Sequence, residues 1–142
     1  MILAIGADHA GFHLKEILTK LIKQKGNIVL DFGTSNEESC DYPDIAHPLA
    51  EAIEAEKADL GVAICGSGNG INMTLNKHQN IRAALCWNLE LATLARQHNN
   101  ANVLTLPARF IDHQMAIDCL EAFITTEFEG GRHVRRVNKI NI

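Results

Sequence analysis

No two of the four cysteines, Cys40, Cys65, Cys86 and Cys119, form a C-x-x-C pair, and they lie far apart in the chain. That spacing argues against a zinc site and leaves reduced thiols as the simplest state. No long apolar segment is present, and Met-Ile-Leu-Ala-Ile-Gly runs directly to Asp8 and His9 without a basic region or cleavage site. Neither a membrane span nor a signal peptide is expected, and the expected location is cytoplasmic. Basic residues are not in excess: 13 Lys and Arg against 17 Asp and Glu give a net charge of −4. That balance offers no general attraction to nucleic acid or to anionic membrane. The glycine-rich stretch lacks the Lys-Ser/Thr pair that closes a nucleotide phosphate loop and is not G-x-G-x-x-G on a first strand, which sets a dinucleotide aside. Neither a metal nor any other cofactor is expected.

What is present is a regular alternation of two periods. Ile2–Gly6, Ile28–Leu30, Leu60–Cys65, Ile81–Leu85 and Val103–Leu106 are short apolar runs suited to buried strands. Between the first two, Leu14, Ile17, Leu18, Leu21 and Ile22 recur at helical spacing, which leaves Lys15, Lys20 and Lys23 for solvent, and Gly26 ends the helix. Asp41-Tyr-Pro43-Asp opens a second helix with apolar Ile45, Leu49, Ala52 and Ile53. A further helix lies between Asn88 and His98, and Asp112 caps the last long one, which carries Met115, Ala116, Cys119, Leu120 and Phe123. Without internal repeats or low-complexity linkers, residues 1–142 form a single α/β domain. The sheet is expected to be five-stranded and parallel, of order 2-1-3-4-5, with helices on both faces. The 46% of hydrophobic residues suffice for its core.

The chain is organised around Leu60-Gly-Val-Ala-Ile-Cys65-Gly-Ser-Gly-Asn-Gly70. A buried strand ends there in a thiol, and three glycines at alternate positions let the backbone turn and approach a ligand. Ile71–Leu75 can start a helix, so free amides would surround Cys65 and favour a thiolate and an anionic oxygen. In open sheets ligands bind beyond the carboxyl ends of strands where strand order reverses. Neighbouring first and third strands then bring Asp8 and His9 beside Cys65, an acid and an imidazole suited to proton transfer on hydroxyls. Cys86 and Cys119 read as buried structural residues, and His13, His47, His78 and His113 as capping or solvent residues. From Gly130 to Ile142 there is no acid, but there are Arg132, His133, Arg135, Arg136 and Lys139. That tail can neutralise a small anion, or it is a solvated basic end.

Asp8-His9-Ala-Gly11, Asp41-Tyr42-Pro43, Cys65-Gly-Ser-Gly-Asn-Gly70, Arg96-Gln-His98-Asn99 and Gly130-Gly-Arg132-His133 with Arg136 occur in this order over nearly the whole chain. Together they resemble ribose-5-phosphate isomerases of the B type, in a superfamily that includes galactose-6-phosphate isomerase subunits. The resemblance implies a Rossmann-like three-layer fold, a homodimer or dimer of dimers, and metal-independent interconversion of ribose 5-phosphate and ribulose 5-phosphate in the non-oxidative pentose phosphate pathway. It makes Cys65 the base between C2 and C1, His98 the ring-opening group, and Asp8 and Tyr42 contacts to sugar hydroxyls. Gly66, Ser67, Gly68, Asn69 and Gly70 would stabilise the enediolate. His9, Arg109, Arg132 and Arg136 would hold the phosphate, with Asn99 lining the site. A branch of the family lacks the cysteine and carries glutamate six positions later; that position is Ile71 here, which places the chain in the cysteine branch. Ser67 stands where many relatives have Thr and keeps the hydroxyl. Two other readings are an isomerase of a six-carbon sugar phosphate (galactose or allose 6-phosphate) and a non-catalytic sugar-phosphate sensor.

The expected topology separates two of these residues. A helix returning against the sheet carries His98 to the amino edge, about 16 Å from Cys65 at about 3.3 Å per residue of strand. A second copy of the chain is therefore expected to donate His98 and Asn99, with residues 127–142 packing on that partner. The alternative is that the helix ends early and a loop carries His98 around the sheet.

Overall fold

The computed structural model describes residues 1–142. Strand β1 (Ile2–Ala7) passes through a 3-10 turn at His9–Gly11 into α1 (Phe12–Gln24). Then follow β2 (Ile28–Asp31), α2 (Tyr42–Glu54), β3 (Leu60–Cys65), α3 (Asn69–Leu75) and β4 (Ala83–Leu85). The chain closes with α4 (Leu89–Asn99), β5 (Val103–Pro107), α5 (His113–Thr125) and α6 (Arg132–Val137). Caps lie where the sequence puts them: Asn88 accepts the Leu91 amide at 2.9 Å, and Asp112 accepts that of Met115 at 2.7 Å. Each satisfies an amide that has no partner inside its own helix.

The five strands form one parallel sheet, and their alternation sorts the core into two layers. Leu3, Ile5, Leu60, Val62, Ile64, Leu104 and Leu106 face one way, against Leu14, Leu18 and Ile22 of α1, Ala92 of α4 and Leu120 and Phe123 of α5. Ala4, Ala63, Cys65 and Val103 face the other way, against Leu49 of α2 and Ile71 and Leu75 of α3. Each fully buried Leu, Ile or Phe is worth about 1.5–3 kcal/mol of transfer free energy. The α2 face of the sheet is built from small residues because the helix lies close to it. A Cβ on Gly6 would come 2.5 Å from Ile45 Cγ2, and one on Gly61 2.8 Å from Ile53 Cδ1.

Two expectations are corrected. The strand order is 2-1-3-5-4, not 2-1-3-4-5. The five-residue strand Val103–Pro107 is buried throughout and takes the interior position, whereas β4 is only three residues long, half-buried, and forms the edge. Lys15 does not face solvent: it is 1% exposed, its ammonium 2.5 Å from Asp31 Oδ2 and 3.3 Å from Glu16. The amphipathic pattern of α1 cannot report this, because the charge is drawn inward by a carboxylate at the end of a strand distant in sequence. The aliphatic stem of the lysine fills the core while its head is paired.

Candidate active site

The carboxyl ends of β1, β3 and β5 converge as the register requires, with Ala7 opposite Ile64 and Cys65 opposite Pro107. Cys65 is 4% exposed at the end of β3, its side chain on the α2–α3 side. Gly68 begins α3 at φ +75°, a conformation that favours glycine, and a Cβ there would collide with Leu85. The first-turn amides of α3 have no helical acceptor, and that of Asn69 donates to Ser67 Oγ at 3.3 Å. The Tyr42 ring, at the start of α2, covers Gly70: a Cβ on Gly70 would stand 2.7 Å from the phenol oxygen.

Asp8 ties this edge to β1. Its amide donates to Ile64 O at 3.1 Å, and its Oδ1 accepts from Ala10 and Gly11, leaving Oδ2 for another partner. His9 Nδ1 accepts the Cys40 amide at 3.3 Å, so in the neutral ring Nε2 carries the hydrogen and is a donor. The corrected strand order brings Arg109 in as well. Because β5 adjoins β3, the Arg109 amide donates to Gly66 O at 3.0 Å and its guanidinium lies along the glycine loop. With β4 interposed, it would stand one strand, about 4.8 Å, further away.

His98, Asn99, Arg132 and Arg136 are not part of this cluster. α4 continues through Asn99, so no loop carries His98 around the sheet, and Asn99 and Ile140 line a hollow of about 250 Å³ with Arg82 and Ala83. That is the amino edge, separated from Cys65 by the five residues of β5, about 16 Å at about 3.3 Å per residue. Here α6 lies on α4, and the His98 and His133 rings stack at 4.2 Å with 10° between their planes. The Glu129 carboxylate lies 3.9 Å from His98 Nε2 and 3.7 Å from His133 Nε2. Burial holds the His133 imidazole below its ordinary pKa, and His98 and Arg132 push it the same way. Parallel rings aim their in-plane lone pairs alongside one another, so this trio is poorly shaped to close on one metal ion.

Sequence reasoning missed two features. The stacking of His133 on His98 joins residues 35 positions apart and has no local signature. Trp87 and Phe110, 55% and 73% exposed, flank a hollow of about 430 Å³ that Ser67 and Asn69 also line. Their signal was available, since each follows a strand at its carboxyl end. Cys86 and Cys119 are buried as expected, and burial pushes their thiols up to about 12 and about 11, which leaves them protonated and unreactive.

The fold and its edge thus define an open parallel α/β protein with a nearly buried cysteine, a glycine-rich loop and an acid–imidazole pair at the topological switch between β1 and β3. The chain belongs to the Ribose/Galactose Isomerase family, which it matches over residues 3–140. It is 39% identical over 138 residues to ribose-5-phosphate isomerase B of Escherichia coli strain K12, covering 97% of this chain and 93% of that protein. It superposes on Clostridium thermocellum ribose-5-phosphate isomerase B with a TM-score of 0.97 at 44% identity, covering 99% and 95% of the two chains. For the Mycoplasma genitalium enzyme with bound ribulose-5-phosphate the TM-score is 0.93 at 41% identity, covering 98% and 93%. No helix of the chain is long and apolar enough to cross a membrane.

Proposed function

We propose that this chain interconverts D-ribose 5-phosphate and D-ribulose 5-phosphate as a B-type isomerase of the cytoplasmic pentose phosphate pathway. The observation that carries the reading is Cys65 at the end of β3, directly before the Gly66–Gly70 loop, in a fold shared with a relative described with bound ribulose-5-phosphate. Isomerisation requires a base at carbon, donors for the developing oxyanion and a remote phosphate clamp whose binding energy fixes the sugar. The Cys65 thiolate takes the proton from C2 and returns it to C1, while the hydroxyl proton of O2 passes to O1. Ser67 and the loop amides, with Gly66, Gly68, Asn69 and Gly70, hold the enediolate oxygen. Asp8, through its free oxygen, and Tyr42 engage sugar hydroxyls. The Nε2–H of His9 and the guanidinium of Arg109 meet the phosphate from this chain.

A second copy of the chain completes the site with His98 for ring opening, Asn99 beside it, and Arg132 and Arg136 on the phosphate. This supplies bidentate donors that suit a phosphate better than lysine. Support comes from the distance between the two edges and from apolar residues left exposed near each: Met73, Trp87 and Phe110 by the glycine loop, Val134 and Ile140 in the tail. In this reading residues 127–142 pack on the partner of an isologous homodimer.

A coupled assay of the purified chain on ribose 5-phosphate, allose 6-phosphate and galactose 6-phosphate tests the assignment. Turnover of the five-carbon ester above the six-carbon ones, lost in Cys65→Ala, is expected. Tight binding of ribose 5-phosphate without turnover would make the chain a sensor instead.

A further inference from the structure

His47 on α2 and His78, three residues beyond α3, meet ring to ring. His47 Nδ1 and His78 Nε2 are 2.8 Å apart, and the ring centroids are 5.1 Å apart. The other nitrogen of His78, Nδ1, lies 3.0 Å from Glu54 Oε2, while Glu54 Oε1 accepts the Asn80 amide at 3.1 Å. An ionised carboxylate only accepts, so Nδ1 of His78 carries a hydrogen and, in the neutral ring, Nε2 presents a bare lone pair toward His47. A carboxylate behind an imidazole whose other nitrogen accepts is the support that metal-ligating histidines receive.

We propose that His47 Nδ1 and His78 Nε2 bind a divalent first-row transition metal, with Glu54 orienting His78 and solvent completing the coordination. Two imidazoles suit nickel, copper or zinc rather than magnesium or calcium. Tetrahedral coordination at 2.0–2.1 Å places two ligand nitrogens about 3.3 Å apart, so the pair must open by about half an ångström. His47 is exposed and can pivot, whereas the His78 side chain, 16% exposed, is anchored by Glu54. To bind, His47 moves its proton from Nδ1 to Nε2. The ion would clamp α2 to the loop after α3. None of its ligands is among the residues assigned to the isomerase site, and the chemistry there does not use it.

Isothermal titration of the purified chain with NiCl2 tests the site, with Co2+ absorption to report any sulfur ligand. One Ni2+ per chain is expected, with no thiolate charge-transfer band from Co2+. Binding should be lost in His47→Ala and in His78→Ala, and weakened about 10–100-fold in Glu54→Gln. Because His47 is exposed, His47→Ala keeps the fold, checked by an unchanged metal-free Tm, and suffices if His78→Ala is unstable. No heat of binding at millimolar NiCl2, or a site that survives the double histidine variant, overturns the proposal. So does a site lost in His133→Asn but kept in His47→Ala, which would place the metal on the stacked pair.

Discussion

Chains carrying Cys65→Ala, mixed with chains carrying His98→Asn, should regain activity that neither variant has alone. The expectation rests on the five residues of β5, about 16 Å, between the end of β3 and the end of α4, a span that one pentose phosphate does not bridge together with both side chains. In an isologous dimer each site then takes Cys65 from one chain and His98 from the other. Random pairing makes half of the dimers mixed, and each of these has one intact site of two. Roughly a quarter of wild-type activity should return, read as the excess over the parents because His98→Asn leaves slow turnover of spontaneously opened substrate. The reciprocal mixture gives a second reading. A Cys65→Ala/His98→Asn chain mixed with an equal amount of wild type should leave about a quarter of full activity if sites are shared, and about half if each chain is self-sufficient. Subunit exchange is verified by mass spectrometry of differently tagged chains, and turnover is followed in a coupled assay. No recovery in the first mixture after verified exchange would refute the shared site.

Cys65→Ala should lower turnover by about 10²–10⁴-fold, the usual worth of a positioned base, while calorimetry still detects phosphate-ester binding, and a chelator should not change wild-type turnover. Turnover that survives the substitution would remove Cys65 from the chemistry. Arg132→Ala or Arg136→Ala should each weaken ribose 5-phosphate by about 1.5–3 kcal/mol, roughly 10–150-fold in Kd, with neutral ribose a very poor ligand. Wild-type affinity in both variants would leave the tail a solvated basic end. His133 titrates below its ordinary value of 6.5, so the unfolded chain binds this proton more readily than the folded one. Its contribution is complete above the ordinary value and is lost as pH falls through the lowered one; His133→Asn should therefore flatten the acid side of a Tm-against-pH curve, and an unchanged slope would contradict the cause assigned to the shift.

The sequence by itself determined the class of the fold. Strand and helix periods alternate without interruption, and caps such as Asn88 and Asp112 are local chemistry, written within a few residues of the amides that they satisfy. It also determined the carboxyl-edge half of the candidate site, because Asp8, His9 and Cys65–Gly70 lie at or just beyond strand ends and parallel topology gives strand ends one common destination. Tertiary structure alone decided what depends on neighbours distant in the chain. The exchange of β4 and β5 follows from competition for the interior position, which the longer, fully buried strand wins, and only that exchange brings Arg109 beside Gly66. Lys15 is buried because Asp31 lies across from it, His133 stacks on His98 because α6 folds back on α4, and His47 meets His78 because α2 packs on α3. Periodicity records which face of an element is apolar. It does not record which charge or ring from elsewhere will meet that face, since such contacts form only when the layers close.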